Sequence, residues 1–229
     1  MVKAGTGDDL VQTNGGNDTL FGGTGEDTLY LRLNADIRAD LSLAVTLINL
    51  GPAERVEISG FESLVTQAGD DTLKGGSGAT LLQAGGGNDR LQGLAGADTL
   101  IGAAGNDSLY GGGDIDLLVG GDGLDQLYGH GSADGFEFNR RTDSPLATPD
   151  VIGDFVSGVD EIVMSAFVDI TAFRLCSFSF IGAGAFSGLA DEVRFSGGVV
   201  QADSNRDGVA DFAVVLTGVV AVAASDFVF

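Results

Sequence analysis

The nine residues Gly22-Gly23-Thr24-Gly25-Glu26-Asp27-Thr28-Leu29-Tyr30 contain a pattern that recurs along much of this 229-residue chain. The aspartate returns every nine residues, and the second residue after it is apolar each time. The series consists of Asp9, Asp18, Asp27, Asp71, Asp89, Asp98, Asp107, Asp116, Asp125 and Asp134, with Thr80 in the one gap of the second run. The apolar residues are Val11, Leu20, Leu29, Leu73, Leu82, Leu91, Leu100, Leu109, Leu118, Leu127 and Phe136. A flexible glycine-rich linker or a collagen-like tract keeps no apolar position at this period, so the pattern predicts an ordered repeat.

Each unit predicts a tight turn followed by a short strand. Glycine stands two residues before most of the aspartates, as at Gly25 and Gly105, and it permits the positive φ angles of a tight turn. The Thr-Leu and Ser-Leu pairs that follow favour a strand. Strands this short are stable only when neighbouring units stack and bury their apolar positions in a shared interior. The sequence therefore predicts an all-β solenoid.

The charge of the chain points to cations as partners. The chain has 33 acidic residues, of which 26 are Asp, against 11 Lys and Arg, and the formal net charge is −22. Such a surface repels nucleic acid and anionic bilayers and attracts multivalent cations. The single Cys176 excludes an intrachain disulfide, and the single His130 excludes a multi-histidine zinc site, so we expect neither zinc nor a catalytic centre in these residues. The longest apolar run, 212–224, is too short for a transmembrane segment.

The stretch 22–30 resembles a nonapeptide of the repeats-in-toxin (RTX, haemolysin-type) calcium-binding proteins. The resemblance implies a parallel β-roll in which two nonapeptides form one coil and turns eighteen residues apart hold Ca²⁺ between them. Adjacent strands lie about 4.8 Å apart, so stacked carboxylates repel unless a divalent ion separates them. Calcium suits such turns because it accepts six to eight oxygen ligands in flexible geometry.

The resemblance also implies which residues hold the ions, namely the aspartates together with carbonyl oxygens of the glycine-rich turns. For one ion the set is Gly85, Gly87 and Asp89 from one turn with Gly102, Ala104 and Asp107 from the next. The full implied set is Gly5, Gly7 and Asp9; Asn14, Gly16 and Asp18; Gly22, Thr24 and Asp27; Gly69 and Asp71; Ala84, Gly85, Gly86, Gly87 and Asp89; Gly96 and Asp98; Gly102, Ala104, Gly105 and Asp107; Gly111, Gly113 and Asp116; Gly120, Asp122 and Asp125; and Gly129, Gly131 and Asp134.

These residues are expected to form two columns, one on each side of the roll. One column joins Asp71, Asp89, Asp107 and Asp125, and the other joins Asp98, Asp116 and Asp134, with Thr80 weakening the site that it shares with Asp98. In the N-terminal block, Asp9 is expected to pair with Asp27, and Asp18 with Asp36. Residues 31–65 lose the glycine pattern and predict a degenerate coil of the same roll without calcium, with a wider turn at Gly51-Pro52.

A second region is predicted from residue 138, which divides the chain into a roll at 1–137 and a β-rich cap at 138–229. The segment Asp150-Val151-Ile152-Gly153-Asp154-Phe155 and the following Gly158-Val159-Asp160-Glu161-Ile162 resemble the C-terminal domain of serralysin-type secreted peptidases. Val163 stands where that family usually has Asp, which removes a ligand there. The last four residues, Asp226, Phe227, Val228 and Phe229, resemble the uncleaved signal of type I bacterial exporters, and a final edge strand is the alternative.

One more acidic loop lies in this region. Residues 203–211 place Asp203, Asn205, Asp207 and Asp211 at alternate positions around a glycine, which resembles the front of a helix-loop-helix calcium loop. The twelfth position is Val214 instead of Glu, and a plain Asp-Gly hairpin turn is the alternative. We expect Cys176 to be a buried apolar side chain and His130 to be an exposed turn residue.

The sequence leads us to expect a calcium-binding module that folds outside the cell and supports the export and stability of a secreted bacterial protein. Calcium ions and a type I exporter are the expected partners. One alternative is the non-catalytic tail of a secreted enzyme, such as a zinc peptidase, lipase or polysaccharide epimerase, with its catalytic domain upstream. The other is an adhesin or surface-layer component.

Overall fold

A computed structural model describes residues 1–49, 55–169 and 174–229. Short strands dominate these ranges, because each nonapeptide supplies one turn and one strand. The strands are β1 (Val2–Thr6), β2 (Leu10–Thr13), β3 (Asp18–Thr24), β4 (Thr28–Leu31), β5 (Arg38–Asp40), β6 (Thr46–Asn49), β7 (Arg55–Ser59), β8 (Ser63–Val65), β9 (Thr72–Lys74), β10 (Leu81–Gly86), β11 (Arg90–Ala95), β12 (Thr99–Ala104), β13 (Ser108–Gly113), β14 (Leu117–Asp122), β15 (Gln126–His130), β16 (Gly135–Glu137), β17 (Asp150–Ile152), β18 (Glu161–Val163), β19 (Val168–Asp169), β20 (Arg174–Leu175), β21 (Ser179–Phe180), β22 (Glu192–Ser196), β23 (Val199–Asp203), β24 (Phe212–Leu216) and β25 (Phe227–Val228). One 3-10 helix spans Ala224–Asp226.

Two long sheets face each other and enclose the interior of the roll. One has the order β2-β4-β8-β10-β12-β14-β16-β18-β25, and the other has the order β21-β22-β23-β24-β17-β15-β13-β11-β9-β5. From β8 to β18, successive strands alternate between these sheets, and each strand pairs in parallel with the strand two positions later. Leu82 lies beside Leu100 and Leu100 beside Leu118, an offset of eighteen residues per coil. The predicted all-β fold, a parallel β-roll joined to a mixed C-terminal sheet, is confirmed.

The fixed apolar position of each nonapeptide points into the interior. Leu73, Leu91, Leu109 and Leu127 are fully buried on one sheet, and Leu82, Leu100, Leu118 and Phe136 are fully buried on the other. Burying an aliphatic side chain of this size contributes about 1.5–3 kcal/mol relative to leaving it exposed. The predicted interior of the roll is confirmed, and the stacked leucines hold one coil on the next.

The roll is interrupted on one side near residue 46. There β6 pairs antiparallel with β7 and closes a separate four-stranded sheet of order β1-β3-β7-β6, whereas β5 begins the ten-stranded sheet by pairing with β9. On the other side β4, β8 and β10 stay in one parallel sheet. The roll is thus continuous in this region on one side only. The turn predicted at Gly51-Pro52 lies outside the described residues.

The C-terminal region stacks directly on the last nonapeptides. β17 pairs in parallel with β15, and β18 pairs in parallel with β16, so both long sheets continue past residue 137. The two-domain division at this residue stays a prediction. Edge-to-face contacts join Phe138, Phe167, Phe178 and Phe212 in the aromatic core behind these strands.

Strand structure over 174–180 is discontinuous. β20 ends at Leu175 and β21 begins at Ser179, with no strand over the residues between them. Within the described ranges, no helix has the length and apolarity needed to cross a bilayer.

Candidate metal centres

Two columns of acidic side chains run along the two edges of the roll, where turns enter the long sheets. Each member directly precedes a strand, except Asp150, which is the first residue of β17, and neighbours in a column belong to adjacent strands of one sheet. The first column contains Asp71, Asp89, Asp107, Asp125 and Asp150. The second column contains Asp9, Asp27, Glu62, Thr80, Asp98, Asp116, Asp134 and Asp160.

One carboxylate oxygen of each aspartate joins its coil to the coil before. The backbone N–H of Asp89 donates to Asp107 Oδ1 at 2.8 Å, and the N–H of Asp107 donates to Asp125 Oδ1 at 2.8 Å. In the second column the N–H of Asp98 donates to Asp116 Oδ1 at 2.8 Å. These bonds orient the carboxylates and leave the other oxygen for a different partner.

That other oxygen is buried and receives no hydrogen bond from the described residues. This holds for Oδ2 of Asp9, Asp27, Asp71, Asp89, Asp98, Asp107, Asp116, Asp125 and Asp150. A buried carboxylate oxygen without a partner is costly, and nine in ordered columns require a common explanation. A cation between the coils would supply it.

The pKa values of the column aspartates show the same cost of burying a carboxylate. Burial, with the neighbouring aspartates adding to it, raises the pKa of Asp89, Asp107 and Asp116 to about 7. Burial likewise raises the pKa of Asp125 to about 7 and that of Asp98 to about 6. Without a cation these groups therefore resist ionisation near neutral pH, and a divalent ion would remove that resistance.

The first glycine of several units makes room for the oxygen atoms. A Cβ added at Gly102 would lie 2.2 Å from Asp107 Oδ2 and 2.8 Å from the carbonyl oxygen of Gly120. At Gly93 the same distances are 2.3 Å to Asp98 Oδ2 and 2.7 Å to the Gly111 carbonyl oxygen. A carboxylate from one coil and a carbonyl from the next thus converge where a side chain would block them. Hard oxygen donors of both kinds fit calcium.

Side chains alone do not complete such a site. Nowhere in residues 1–49, 55–169 and 174–229 do three His, Cys, Asp or Glu side chains form a cluster that could hold a metal. An ion in a column therefore needs backbone carbonyls for its remaining ligands, as the glycine-rich turns allow. A cluster of side chains is not the signature of this kind of site.

Comparison with known proteins assigns the repeats to a family. The model for the RTX calcium-binding nonapeptide repeat (4 copies) matches residues 2–37, 59–79, 75–109, 83–118 and 110–138, together just over half of the chain. The chain belongs to the RTX calcium-binding nonapeptide repeat family. Its repeats are therefore calcium-binding repeats.

Comparison with solved structures gives further similarities, two of which follow, while a search of curated proteins gives no match. The solution structure of the AlgE6R3 subunit from the Azotobacter vinelandii mannuronan C5-epimerase is 28% identical, covers 69% of this chain and 77% of its own, and has a TM-score of 0.34. The extracellular lipase LipA from Serratia marcescens is 19% identical and covers 97% of this chain, with a TM-score of 0.30. The match spans 38% of the lipase.

Three acidic members of the columns lie outside the RTX aspartate series. Asp150 accepts the N–H of Asp125 at 2.8 Å, Asp160 accepts that of Asp134 at 3.1 Å, and Glu62 accepts that of Asp27 at 2.9 Å. Sequence reasoning named none of the three as a candidate ligand. Asp150 and Asp160 break the nine-residue spacing, and Glu62 keeps it but lies in the coil that was predicted to be free of calcium. A usable signal was an acid two residues before a buried aliphatic residue, namely Leu64, Ile152 or Ile162.

The N-terminal RTX block departs from the expected pairing. β3 pairs with β7, which sets Asp18 opposite Val56, and the hydroxyl of Thr13 donates to Asp18 Oδ2 at 2.8 Å. In the first column Ile37, not Asp36, donates its N–H to Asp71 Oδ1 at 2.7 Å. The structure therefore does not bring Asp18 and Asp36 together, because the chain between them leaves the eighteen-residue register.

Thr80 fills its place in the second column with a neutral side chain. Its N–H donates to Asp98 Oδ1 at 2.7 Å, as an aspartate in this place would, while its hydroxyl donates to the Gly78 carbonyl at 3.0 Å. The hydrogen bond between coils is thus kept without a carboxylate at this position.

The stretch 203–211 joins β23, whose last residue is Asp203, to β24, and its acids bond within the turn. Asp203 accepts the N–H groups of Arg206, Asp207 and Gly208, at 2.7, 3.3 and 2.9 Å. The Ser204 hydroxyl contacts both Asp211 oxygens at 2.9 Å. Asp203, Asn205, Asp207 and Asp211 are in one loop as expected, and their role as calcium ligands stays a prediction.

The remaining predicted residues occupy structural positions. Asp226 accepts hydrogen bonds from the Ser157 hydroxyl at 2.6 Å and the Gly158 N–H at 3.0 Å. His130 has an exposed side chain with Nδ1 3.5 Å from Asp154 Oδ2. The expectation of a buried Cys176 is wrong, since its side chain is only partly buried at the rim of the aromatic core.

Proposed function

We propose that Ca²⁺ ions fill both columns and that each ion joins two successive coils. The observation that carries this is the row of buried, unpartnered Oδ2 atoms facing the glycine-rich turns. In the first column the ions are held by Asp71 with Asp89, Asp89 with Asp107, and Asp107 with Asp125. In the second column they are held by Asp98 with Asp116 and Asp116 with Asp134. Turn carbonyls, including those of Gly111 and Gly120, complete each shell.

The columns extend beyond the nonapeptides in this proposal. Asp150 continues the first column, and Asp160 continues the second. In the N-terminal block Asp9 and Asp27 form a pair, and Glu62 with its longer side chain takes the next place. A Cβ at Gly22 would lie 2.7 Å from Asp27 Oδ2 and 1.7 Å from the Gly60 carbonyl oxygen, so donors converge there also.

Calcium binding is proposed to drive folding. Two carboxylates about 4.8 Å apart repel by about 3 kcal/mol at an effective dielectric constant of 20, and each column stacks several of them. An ion that binds the folded coil and not the open chain shifts the equilibrium toward folding. At low calcium the chain stays loose, and at the higher calcium outside a cell it folds.

We also propose that the protein is exported through a type I system. The serralysin-like segments after residue 138 and the terminal Asp226, Phe227, Val228 and Phe229 support it. Phe227 is buried and stacks on Phe180 and Phe229 at ring-centroid distances of 5.0 and 5.7 Å. An exporter would therefore have to bind this segment before the chain folds, which agrees with folding by calcium outside the cell.

Two other roles remain proposals of the same kind. The module serves as the tail of a secreted enzyme if a catalytic domain precedes it, and reading the gene upstream of Met1 tests this. It serves in adhesion if the isolated chain binds cells or glycans. Both roles use the same calcium-dependent roll.

The calcium proposal is tested with a pair of adjacent substitutions. Asp71→Asn keeps an acceptor for the Ile37 N–H but removes the charge from the buried Oδ2 position. Asp70→Asn makes the same change on the exposed neighbour, where Asn88 and Asn106 occupy the equivalent places of later coils. We expect Asp71→Asn to lower the number of ions bound, measured by native mass spectrometry and calorimetry, and Asp70→Asn to leave it unchanged. Equal counts in both variants would contradict the proposal.

A further inference from the structure

The outward face of the ten-stranded sheet carries basic side chains at its N-terminal end. Arg38, Thr72 and Arg90 lie in one row across β5, β9 and β11, and Asp40, Lys74 and Gln92 lie in the next row. Alternate residues of these strands, Ala39, Leu73 and Leu91, point inward and are buried. Arg38, Lys74 and Arg90 thus lie close together. They are three of the eleven basic residues of a chain whose net charge is −22.

A cavity of about 260 Å³ opens on this area where the roll is interrupted. We call it the Arg38 cavity. Its walls come from β5, β9 and β11 and from the loop that leads to β6. It is lined by Arg38, Ala39, Asp40, Leu43, Thr46, Thr72, Lys74 and Gln92.

The charge of the Arg38 cavity depends mainly on Arg38. Lys74 Nζ lies 3.1 Å from Asp40 Oδ2, so these two charges offset each other. Asp40 also accepts hydrogen bonds from the N–H and the hydroxyl of Ser42. Within the described residues, no carboxylate lies at ion-pair distance from the exposed guanidinium of Arg38. The cavity therefore offers one uncompensated, forked donor, which suits a single carboxylate.

The other lining groups indicate what carries that carboxylate. Thr72 and Gln92 both donate and accept hydrogen bonds, as partners of ligand hydroxyls must. Leu43 is 56% exposed at the rim and offers an apolar surface. The volume lies below the usual range of about 300–1,000 Å³ for drug-sized ligands, so one ring is the size that fits. A carboxylate, several hydroxyls and one apolar ring face together describe a sugar acid.

We propose that the Arg38 cavity binds the carboxylate of an acidic sugar, with Thr72 and Gln92 facing its hydroxyls and Leu43 packing on its ring. The sugar is either a free uronate or one unit of an acidic polysaccharide, because both present the same group. None of these residues belongs to the calcium columns, so binding at the cavity is separate from the proposed calcium function.

The test is an amide-resolved NMR titration of the calcium-loaded full chain with glucuronate. Glucose, which lacks the carboxylate, is the control ligand. Free calcium is held constant by dialysis, because uronates also bind the ion. We expect saturable shifts at Thr72, Lys74 and Gln92 with glucuronate only. Oligomeric uronate that binds more tightly than the monomer identifies a polysaccharide, and equal binding identifies the free acid.

Substitutions link the shifts to the cavity. Arg38→Gln should weaken glucuronate binding about tenfold or more, because a charged bidentate contact is lost. Arg38→Lys should weaken it less. Arg194→Gln is the matched control, since Arg194 lies on β22 and is bonded to Gln201. Leu43→Ser, on an exposed loop, replaces Arg38→Gln if that variant does not fold. Equal binding of glucose, equal binding of an N-acetyl amino acid, or full binding by Arg38→Gln would overturn the proposal.

Discussion

The backbone N–H of Asp125 donates to Oδ1 of Asp150 at 2.8 Å, which joins the last aspartate of a nonapeptide column to the C-terminal region. Asp107 makes the same bond to Asp125 across eighteen residues, whereas Asp125 and Asp150 are twenty-five residues apart. The column ends one step later, where the Asp150 N–H donates to the Ser144 hydroxyl at 2.7 Å and that hydroxyl bonds to the Ala213 carbonyl. A neutral residue thus takes the place of the next carboxylate.

Replacement of Asp150 should separate calcium binding from packing. Burial, with the nearby Asp125 adding to it, raises the pKa of Asp150 to about 9, so a neutral amide suits the calcium-free fold. We expect Asp150→Asn to bind one ion fewer and to gain less stability from calcium. The loss is about 2.7 kcal/mol when the ion is at 100 times its dissociation constant. Native mass spectrometry and thermal unfolding with and without calcium measure both effects.

The control for Asp150→Asn is Asp114→Asn, which makes the same charge change in an exposed turn and keeps an acceptor for the Gly96 N–H. Its ion count should stay at the wild-type value. If Asp150→Asn also keeps the wild-type count and thermal shift, Asp150 is not a ligand.

Acid should favour the calcium-free fold. The pKa values of Asp89, Asp107, Asp116 and Asp125 are about 7 in the folded chain, against 3.8 for an ordinary aspartate. The folded state therefore holds more protons than the unfolded state between these values, and its stability falls as the pH rises from about 4 to about 7. Circular dichroism in calcium-depleted buffer should show more ordered β-structure at pH 5 than at pH 8.

Calcium reverses this dependence, because protons compete with the ion for the same oxygens. As the pH falls from about 7 to about 4, the calcium-loaded protein should lose affinity for the ion. A calcium-free spectrum that stays constant from pH 8 to pH 5 would show that the columns do not govern folding.

Thr80→Asp should add a calcium ion to the second column. The Thr80 N–H already bonds to Asp98 Oδ1, and a Cβ at Gly75 would lie 3.1 Å from Thr80 Oγ1, the place where other coils hold Oδ2. The new carboxylate would share an ion with Asp98. Calorimetry should report one more ion per chain. Thr99→Asp adds the same charge to the half-buried outward face of β12 and should add none. An unchanged count for Thr80→Asp contradicts the column model.

Most of the roll could be predicted from the sequence because its repeat is local. Most nonapeptides carry their own turn glycine, aspartate and buried leucine, so position within the unit decides the environment of the side chain. Residues that broke the period were harder to place. Asp36 keeps the nine-residue spacing but loses its column place to Ile37, since the register there is set by the pairing of β5 with β9.

The departures were set by long-range contacts that no local pattern contains. Glu62, Asp150 and Asp160 enter the columns because β8, β17 and β18 pair with strands 25 to 35 residues away in sequence. The antiparallel pairing of β6 with β7 is likewise a contact that the nine-residue spacing does not predict. Spacing predicts a residue's place only while the coil length stays constant.

Asn106 should contribute to stability without binding calcium. Its N–H donates to Asn88 Oδ1 at 3.0 Å, and its own Oδ1 accepts the Leu124 N–H at 2.9 Å. These exposed bonds run from one coil to the next in the direction opposite to the bonds of the buried aspartates. Asn106→Ala removes the acceptor for Leu124 and should cost about 0.5–1.5 kcal/mol with or without calcium, measured by denaturant unfolding. Asn106→Asp keeps the acceptor and should cost less. A lower ion count in Asn106→Ala would show instead that this outer row supports the calcium sites.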